Sequence, residues 1–597
     1  MKIKLVIGLF VIVWTILLVR IYQLTIKSNA YYETLAMQNI IKKEWILPVR
    51  GEILDRSGKP LAINEIGFKV LIDPHLSSKK RLPELKQALE DIQNDFPDVN
   101  TTKLLRRYRR LDSPYRHEPI VMVRFLPYEK VLPHYTELSR KSHIHIEPTT
   151  KRYYPYGAMT AHVIGYVGKA NEKDMANDDV VKLTMIAGKS GLEKYYNRFL
   201  EGEPGYKKVK VSAFNQQIGV IETVPPKEDR DIRLHLDMDL QAFVSKLFEK
   251  EQKSGVVIVM RTDGAILSAG SFPAYDPNEF VSGISREEWK RIIENLNHPF
   301  TNKLIHGLYP PGSVIKPGVA LAMVDSKKVS PYKKFHCHGF IELGKHKFRC
   351  WKSRGHQETD MNKAIRESCD VYFYEGSLLT GINKIAEELR KMGLGQKTGI
   401  DLPNEFIGAV PDKVWKMSKY GQPWYMGETL NASIGQGYVL VTPMQIARYT
   451  ALLATQKLPR PYLVEALAGQ KIEPILDDVL TPREKRTLPL VQRAMYEVCN
   501  HPKGTATKYL RGIKIKIAGK TGTAQVIGIP QEEKKRMKED ELAYYHRSHA
   551  WMTTYGPYKN PQYVVTVLVE HGGHGGAATG NIIKEIYNWL LGHGYIK

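Results

Sequence analysis

Leu5 to Val19 form an uncharged, mainly apolar run at the amino terminus, and no second run of spanning length follows in the 597 residues. One such segment divides the chain into an anchor and a large remainder. At ~1.5 Å per residue the run falls short of a bilayer core, but Ile21, Tyr22 and Leu24 extend it and Arg20 can snorkel to the interface. Lys2 and Lys4 precede the run. This charge bias predicts a cytoplasmic amino terminus, with about 570 residues beyond the membrane. The competing reading is a cleaved signal peptide, for which Ser28-Asn29-Ala30 is a poor cleavage site. Composition removes other classes. With 43% hydrophobic and 25% charged residues the chain is not disordered, collagen-like or polytopic. Four cysteines exclude a disulfide-stapled scaffold. Lys and Arg number 87 against 63 Asp and Glu, a net charge of +24. Such a surface favours phospholipid headgroups, pyrophosphate-linked lipids or nucleic acid, without choosing among them.

At ~100–200 residues per domain, this length suggests three or four units. We expect an anchor over residues 1–28, an amino-terminal domain over 29–230 and a final domain over 231–597, with Pro225-Pro226 marking the last boundary. In the middle region, Pro83 to Gln93 and Thr102 to Leu111 have charged helical patterns separated by Pro97, and Tyr153 to Gly157 is a breaker cluster. The final domain opens with a helical pattern from Asp237 to Gln252, apolar at Leu240, Phe243, Val244 and Leu247. Gly255 to Met260 and Ala265 to Ser271 read as strands of a hairpin around Thr262-Asp263-Gly264. Ile513 to Val526, His549 to Tyr555 and Gln562 to Glu570 read as three late strands, and Asn581 to Leu591 as a helix. Two early and three late strands predict one antiparallel sheet closed from both ends of the domain. The long, mostly helical insertion then forms a second lobe, an α+β fold with a cleft where chemistry is sought.

Three short motifs fall in that domain. Pro310, Pro311 and Gly312 disfavour helix before Ser313, and Val319, Ala320, Leu321, Met323 and Val324 predict a buried helix after it. Lys316 then shares a face with Ser313. A lysine desolvated in a helix, near other cations, can serve as the base a serine hydroxyl needs. Alone, Ser-x-x-Lys also reads as an N-cap serine beside a solvated lysine. Ser368-Cys369-Asp370 and Lys520-Thr521-Gly522-Thr523 follow in order, the second inside a late strand where glycine permits close approach. Ser-x-x-Lys, Ser-x-Asn and Lys-Thr-Gly form the signature of penicillin-binding proteins and class A β-lactamases.

With Arg50-Gly51, Gly191-Leu192-Glu193 and Ser433-Ile434-Gly435-Gln436-Gly437, the chain resembles the class B penicillin-binding proteins over essentially its whole length. No segment before residue 230 matches the glycosyltransferase module of class A members. The resemblance implies a penicillin-recognising D,D-transpeptidase domain behind an extended pedestal domain and one transmembrane helix. It implies that Ser313 attacks the D-Ala-D-Ala carbonyl of a peptidoglycan stem peptide and that Lys316 takes the serine proton. Ser368 would relay a proton to the leaving D-Ala and Lys520 orient that network. Thr521, Gly522 and Thr523 would line the substrate's terminal carboxylate, and the N–H groups of Ser313 and Thr523 form the oxyanion hole. A β-lactam would leave a slowly hydrolysed acyl group. Asp370 stands where many members have Asn; when ionised it cannot donate an amide N–H, and it can pair with Lys316 or Lys520. The resemblance also implies a SEDS-type (RodA-like) glycosyltransferase and an MreC-type scaffold as partners, lipid-linked precursor strands as substrates, a place in the bacterial inner membrane, and no nucleic-acid partner.

Cys337-x12-Cys350-x5-His356-x12-Cys369 is a Cys3His set in a loop-rich stretch, 333–360, with little apolar content. Such a set fits structural zinc. A Cys337–Cys350 disulfide and a free buried Cys369 are alternatives, and His336, His338 and His346 are alternative ligands. Elongation-type class B members are similar in carrying a four-ligand zinc site here. Cys499 reads as core. His571 to Gly576 reads as a glycine-rich turn, and Glu532 to Glu541 as a solvated charge run. Two other functions use the same nucleophile or domain: a β-lactam-hydrolysing or D,D-carboxypeptidase enzyme, and a β-lactam sensor or inert scaffold. The long amino-terminal region argues against the first. The intact motifs and the absence of a His-Glu-x-x-His argue against the second.

Overall fold

The computed structural model describes residues 2–27, 41–115, 118–176, 178–211, 217–526 and 539–596. The described residues form two compact units, one drawn from 1–51, 170–185 and 201–230, the other from 52–169, 186–200 and 231–597. The charge run Glu532 to Glu541 lies largely outside the described residues.

In the first unit the apolar run is helical over Lys2–Tyr22 and continues as a wider turn over Gln23–Lys27. Its apolar side chains are exposed, an arrangement that water penalises and a bilayer does not. Ile3–Lys27 is long and apolar enough to cross a membrane. The unit also holds a three-stranded antiparallel sheet of Ile41–Ile46, Gly205–Val211 and Gln217–Val224.

The second unit has two main hydrophobic cores. In the smaller, the strand Pro60–Ile72 pairs antiparallel with Ile120–Pro127 and Ile144–Tyr153. The two charged patterns are the helices Leu82–Asp95 and Thr101–Leu111, and the first buries Leu85, Leu89 and Ile92 against Val70, Ile72 and Ile120. Asn100 caps the second by accepting from Lys103 N–H.

The larger core surrounds a five-stranded antiparallel sheet in the order Ile266–Phe272, Gly255–Arg261, Tyr563–Val569, His549–Gly556, Ala518–Ala524. Both faces are covered, which is why the inner strands Gly255–Arg261 and Tyr563–Val569 are apolar along their length rather than alternating. Thr553 meets Thr450 of the helix Pro443–Thr455, while its neighbour Thr554 meets Tyr587 of the helix Gly575–Gly592 on the other face. Two boundaries differ from expectation. The last-named strand begins at Ala518 because Ile513 N–H closes a turn on Leu510 O and Lys514 N–H goes to Asn588 Oδ1 instead of a ladder. The closing helix begins at Gly575, inside the glycine-rich run, with His574 as its N-cap. A Cβ on Gly575 would sit 2.2 Å from Gly522 O, so glycine there lets the helix lie directly on the Lys-Thr-Gly strand.

Candidate active site

The first motif opens with a single 3-10 turn, Gly312–Ile315, that feeds the buried helix Lys316–Asp325. Three residues per turn place Lys316 over Ser313. Gly312 has φ +56, and a Cβ on it would fall 2.8 Å from Thr523 O. The turn is pinned by Gly312 N–H to Gly435 O at 2.9 Å and by Trp551 Nε1–H to Pro310 O at 3.1 Å. Gly522 lies beneath it, where a Cβ would sit 3.0 Å from Pro311 O and from Val314. This glycine therefore admits the serine-bearing turn to the strand.

Ser368 occupies a junction between two helices, Met361–Arg366 and Asp370–Thr380. Cys369 N–H bonds back to Ala364 O, and Ser368 itself takes a left-handed backbone, φ +56. That conformation costs a non-glycine residue ~1–2 kcal/mol and is held by the contacts around it. Lys316 is fully buried, and its three donors go to Ser368 O at 3.0 Å, Ser368 Oγ at 3.3 Å and Asp370 Oδ1 at 2.7 Å. Lys520, also fully buried, donates to Ser368 Oγ at 2.9 Å and to Thr521 O at 2.9 Å. One hydroxyl thus bridges two lysines. Burial, and then the neighbouring Lys316 charge, hold Lys520 well below the ordinary lysine range. Burial raises the Asp370 carboxyl, against the pull of Lys316.

The Lys-Thr-Gly strand is the sheet's edge, so one row of its backbone groups faces the cleft. Gln436 Nε2 donates to Thr523 O at 3.3 Å, and the Thr505 and Thr521 hydroxyls meet at 2.7 Å. Ser313 and Thr523 are half-buried while Thr521 is buried. Lys316, Ser368, Asp370 and Lys520 thus form one hydrogen-bonded cluster, and the turn that carries Ser313 packs on Gly522 and Thr523 of the Lys-Thr-Gly strand.

The four expected metal ligands also come together. The stretch 333–360 carries two small hairpin pairings, Phe335–Cys337 with Gln357–Thr359 and Phe340–Leu343 with His346–Arg349. These bring Cys337, Cys350, His356 and Cys369, all buried, to within 4.8 Å of one another by their ligand atoms. Sγ of Cys337 and of Cys350 lie 3.7 and 3.5 Å from His356 Nδ1. A tetrahedral zinc with ordinary bond lengths has S···N edges of ~3.6 Å. All four cysteines of the chain are free thiols. Hydrogen bonds from Cys350 and Cys369 draw Cys337 far down, to about 3, while Cys337 and Cys350 push Cys369 up. The spacing of the four ligand atoms fits a tetrahedral cation. His336 instead pairs with Glu358 at 2.9 Å, and Cys499 is core. The set connects to the cleft: Asp370 N–H donates to Cys350 Sγ at 3.4 Å, and Trp351 N–H donates to Asp370 Oδ2 at 2.9 Å.

Two side chains beside the cleft carry no role in the motifs. Trp351 Nε1–H is shared between Glu367 O at 3.0 Å and Ser368 O at 3.1 Å, and Thr505 partners Thr521. For Trp351 the sequence did hold a signal, a large aromatic next to a cysteine in a polar stretch.

Residues 254–588 match the penicillin binding protein transpeptidase domain, and 45–234 match the penicillin-binding protein dimerisation domain. The chain is 33% identical to the peptidoglycan D,D-transpeptidase MrdA of Haemophilus influenzae, over 96% of this chain and 89% of that protein. It is similar to penicillin-binding protein 2 (PBP2) of Helicobacter pylori in complex with MreC, with 42% identity, a TM-score of 0.85, and coverage of 93% of this chain and 99% of that one. A chain from a peptidoglycan synthase complex that coordinates polymerisation and crosslinking matches at 27% identity and a TM-score of 0.72, covering 99% of this chain and 98% of that one. The motif geometry and these matches agree, and the chain belongs to the penicillin-binding protein transpeptidases.

Proposed function

We propose that this chain is the D,D-transpeptidase of cell-wall elongation, crosslinking stem peptides through an acyl-enzyme on Ser313. The observation that carries the reading is the buried chain Lys316–Ser368–Lys520, which joins three motifs far apart in sequence beside one half-buried serine.

To act as a base Lys316 must be neutral. A route runs through Ser368 Oγ to Lys520, whose depressed pKa reflects desolvation and the Lys316 charge. The terminal carboxylate of a substrate, held near Thr521 and Thr523, adds the negative charge that draws the proton to Lys520. Neutral Lys316 then accepts the Ser313 proton as Oγ bonds to the penultimate D-Ala carbonyl carbon. The oxyanion is stabilised by the N–H groups of Ser313 and Thr523. The C–N bond breaks, and the relay serine passes a proton to the leaving D-Ala. An amine of a neighbouring stem peptide next attacks the ester: the new C–N bond forms as the bond from the carbonyl carbon to Ser313 Oγ breaks, and the amine's proton returns to Oγ.

Cys337, Cys350, His356 and Cys369 would hold a structural zinc in this reading, and these four ligands would then tie the 333–360 stretch to the start of the Asp370 helix. The Ile3–Lys27 helix serves as a single inner-membrane span, with the catalytic part outside the cytoplasm. An MreC-type scaffold and a RodA-like glycosyltransferase are the proposed partners, by analogy with the H. pylori complex and the synthase complex. The test supplies a D-Ala-D-Ala stem peptide and an acceptor stem-peptide amine, with the chain in its partner complex. Crosslinked dimer with release of D-Ala supports the reading. Hydrolysed monomer alone returns the carboxypeptidase reading.

A further inference from the structure

We propose that Trp351 is a positioning residue for the relay serine, its indole N–H fixing the backbone that aims the Ser368 hydroxyl between the two lysines. The inference rests on the reading of Ser368 given above. Glu367 and Ser368 follow the last turn of the Met361–Arg366 helix, where carbonyl groups lack intrahelical partners. Next to them the Asp370–Thr380 helix begins, so the junction cannot satisfy these carbonyls from either helix. The Trp351 N–H takes both, at 3.0 and 3.1 Å, and Lys316 shares the second. The second of these bonds is made where the backbone is strained, at the φ of +56 on Ser368. Relaxation of that residue toward an ordinary backbone would swing Oγ away from Lys316 and Lys520.

Trp351 is poorly explained as a packing residue. It remains 54% exposed although it is the largest kind of apolar side chain. Among the described residues its one ring neighbour is the proposed ligand His356, at 5.5 Å between centroids. Its backbone N–H serves Asp370 whatever the side chain, so the indole's part can be removed on its own. Because Trp351 follows Cys350 directly, the metal-bearing hairpin sets where the indole stands, and the indole passes that placement to the relay serine.

The test replaces Trp351 with Phe, which keeps a ring against His356 but has no donor. Full-length, metal-loaded protein is compared with the parent in zinc content, thermal midpoint and acylation by a labelled penicillin. The acylation is resolved into non-covalent affinity and the first-order acylation step. We expect unchanged zinc content, a midpoint within a degree or two of the parent, unchanged affinity, and an acylation step slowed ~10-fold, the scale of one hydrogen bond held in a strained loop. An acylation step within about twofold of the parent would overturn the assignment. Loss of zinc or a large fall in midpoint, with the rate falling in proportion, would also overturn it, since Trp351 would then be a packing residue. If the parent itself is not acylated, the functional reading fails rather than this one.

Discussion

Replacing Ser368 with Ala removes one oxygen and unties two lysines. In the structure that oxygen accepts from Lys520 at 2.9 Å and Lys316 at 3.3 Å. Lys316 keeps Asp370 and the Ser368 carbonyl, whereas Lys520 keeps only Thr521 O. Hydrogen bonds to charged groups are worth ~1.5–3 kcal/mol, so with one short and one long bond the expected stability loss is about 2 kcal/mol. For a domain of this size that lowers the melting midpoint by a few degrees and leaves nearly all molecules folded at 25 °C. The effect on rate is larger. With the bridge gone, Lys316 has no route for its proton and the leaving D-Ala no donor, and a positioned acid–base group contributes ~100- to 10,000-fold. The assay is the acylation rate constant with a labelled penicillin, read beside a melting curve. A variant that melts a few degrees lower and acylates ~100-fold slower supports the relay. A variant acylated within about threefold of the parent refutes it, since then neither lysine uses this hydroxyl.

Stripping the metal with a strong chelator should abolish acylation and lower the midpoint, and zinc, but not magnesium, should restore both, because thiolate and imidazole ligands suit zinc. Metal analysis of Cys350→Ser should show lost stoichiometry. Lys520 is held below the ordinary lysine range, so between that depressed value and the ordinary one the unfolded chain binds more protons and stability rises with pH. Acylation should climb through the same window as neutral Lys520 appears, and the pH–rate profile of Lys520→Arg, which stays charged, should lack that limb. Gly312→Ala forces a Cβ to 2.8 Å from Thr523 O at a φ of +56, so acylation should fall ~100-fold or more, with the midpoint also reduced. Glu193→Ala leaves the buried Arg152 guanidinium without the carboxylate now 2.6 Å from its Nε; equilibrium unfolding should show a loss of ~3–5 kcal/mol.

The sheet was legible because its strands announce themselves locally. Gly255–Arg261 and Ile266–Phe272 are mainly apolar runs around a turn signal, and Tyr563–Val569 is a third such run. Motif order alone points Ser313, Ser368 and Lys520 to one site, since three matches in sequence order constrain far more than one. The failures are tertiary. Gly575 and Gly576 look like a turn, but they open a helix and are glycine because the strand and Tyr509 lie too close for a side chain. Ile513 and Ile515 look like strand, but they pack on the core while Ile513 N–H closes a turn on Leu510 O. The left-handed Ser368 carries no sequence mark, as its conformation comes from the junction of two helices. Trp351 reaches its carbonyl partners only because the hairpins of 333–360 fold back on that junction.

The central claim is an acyl-enzyme on Ser313. The most direct measurement incubates the full-length, metal-loaded protein with a labelled penicillin, digests it and locates the label by mass spectrometry, with Ser313→Ala alongside. The account predicts a stable adduct on the peptide holding Ser313 and none in the variant. An adduct elsewhere, or none on folded protein, would contradict it.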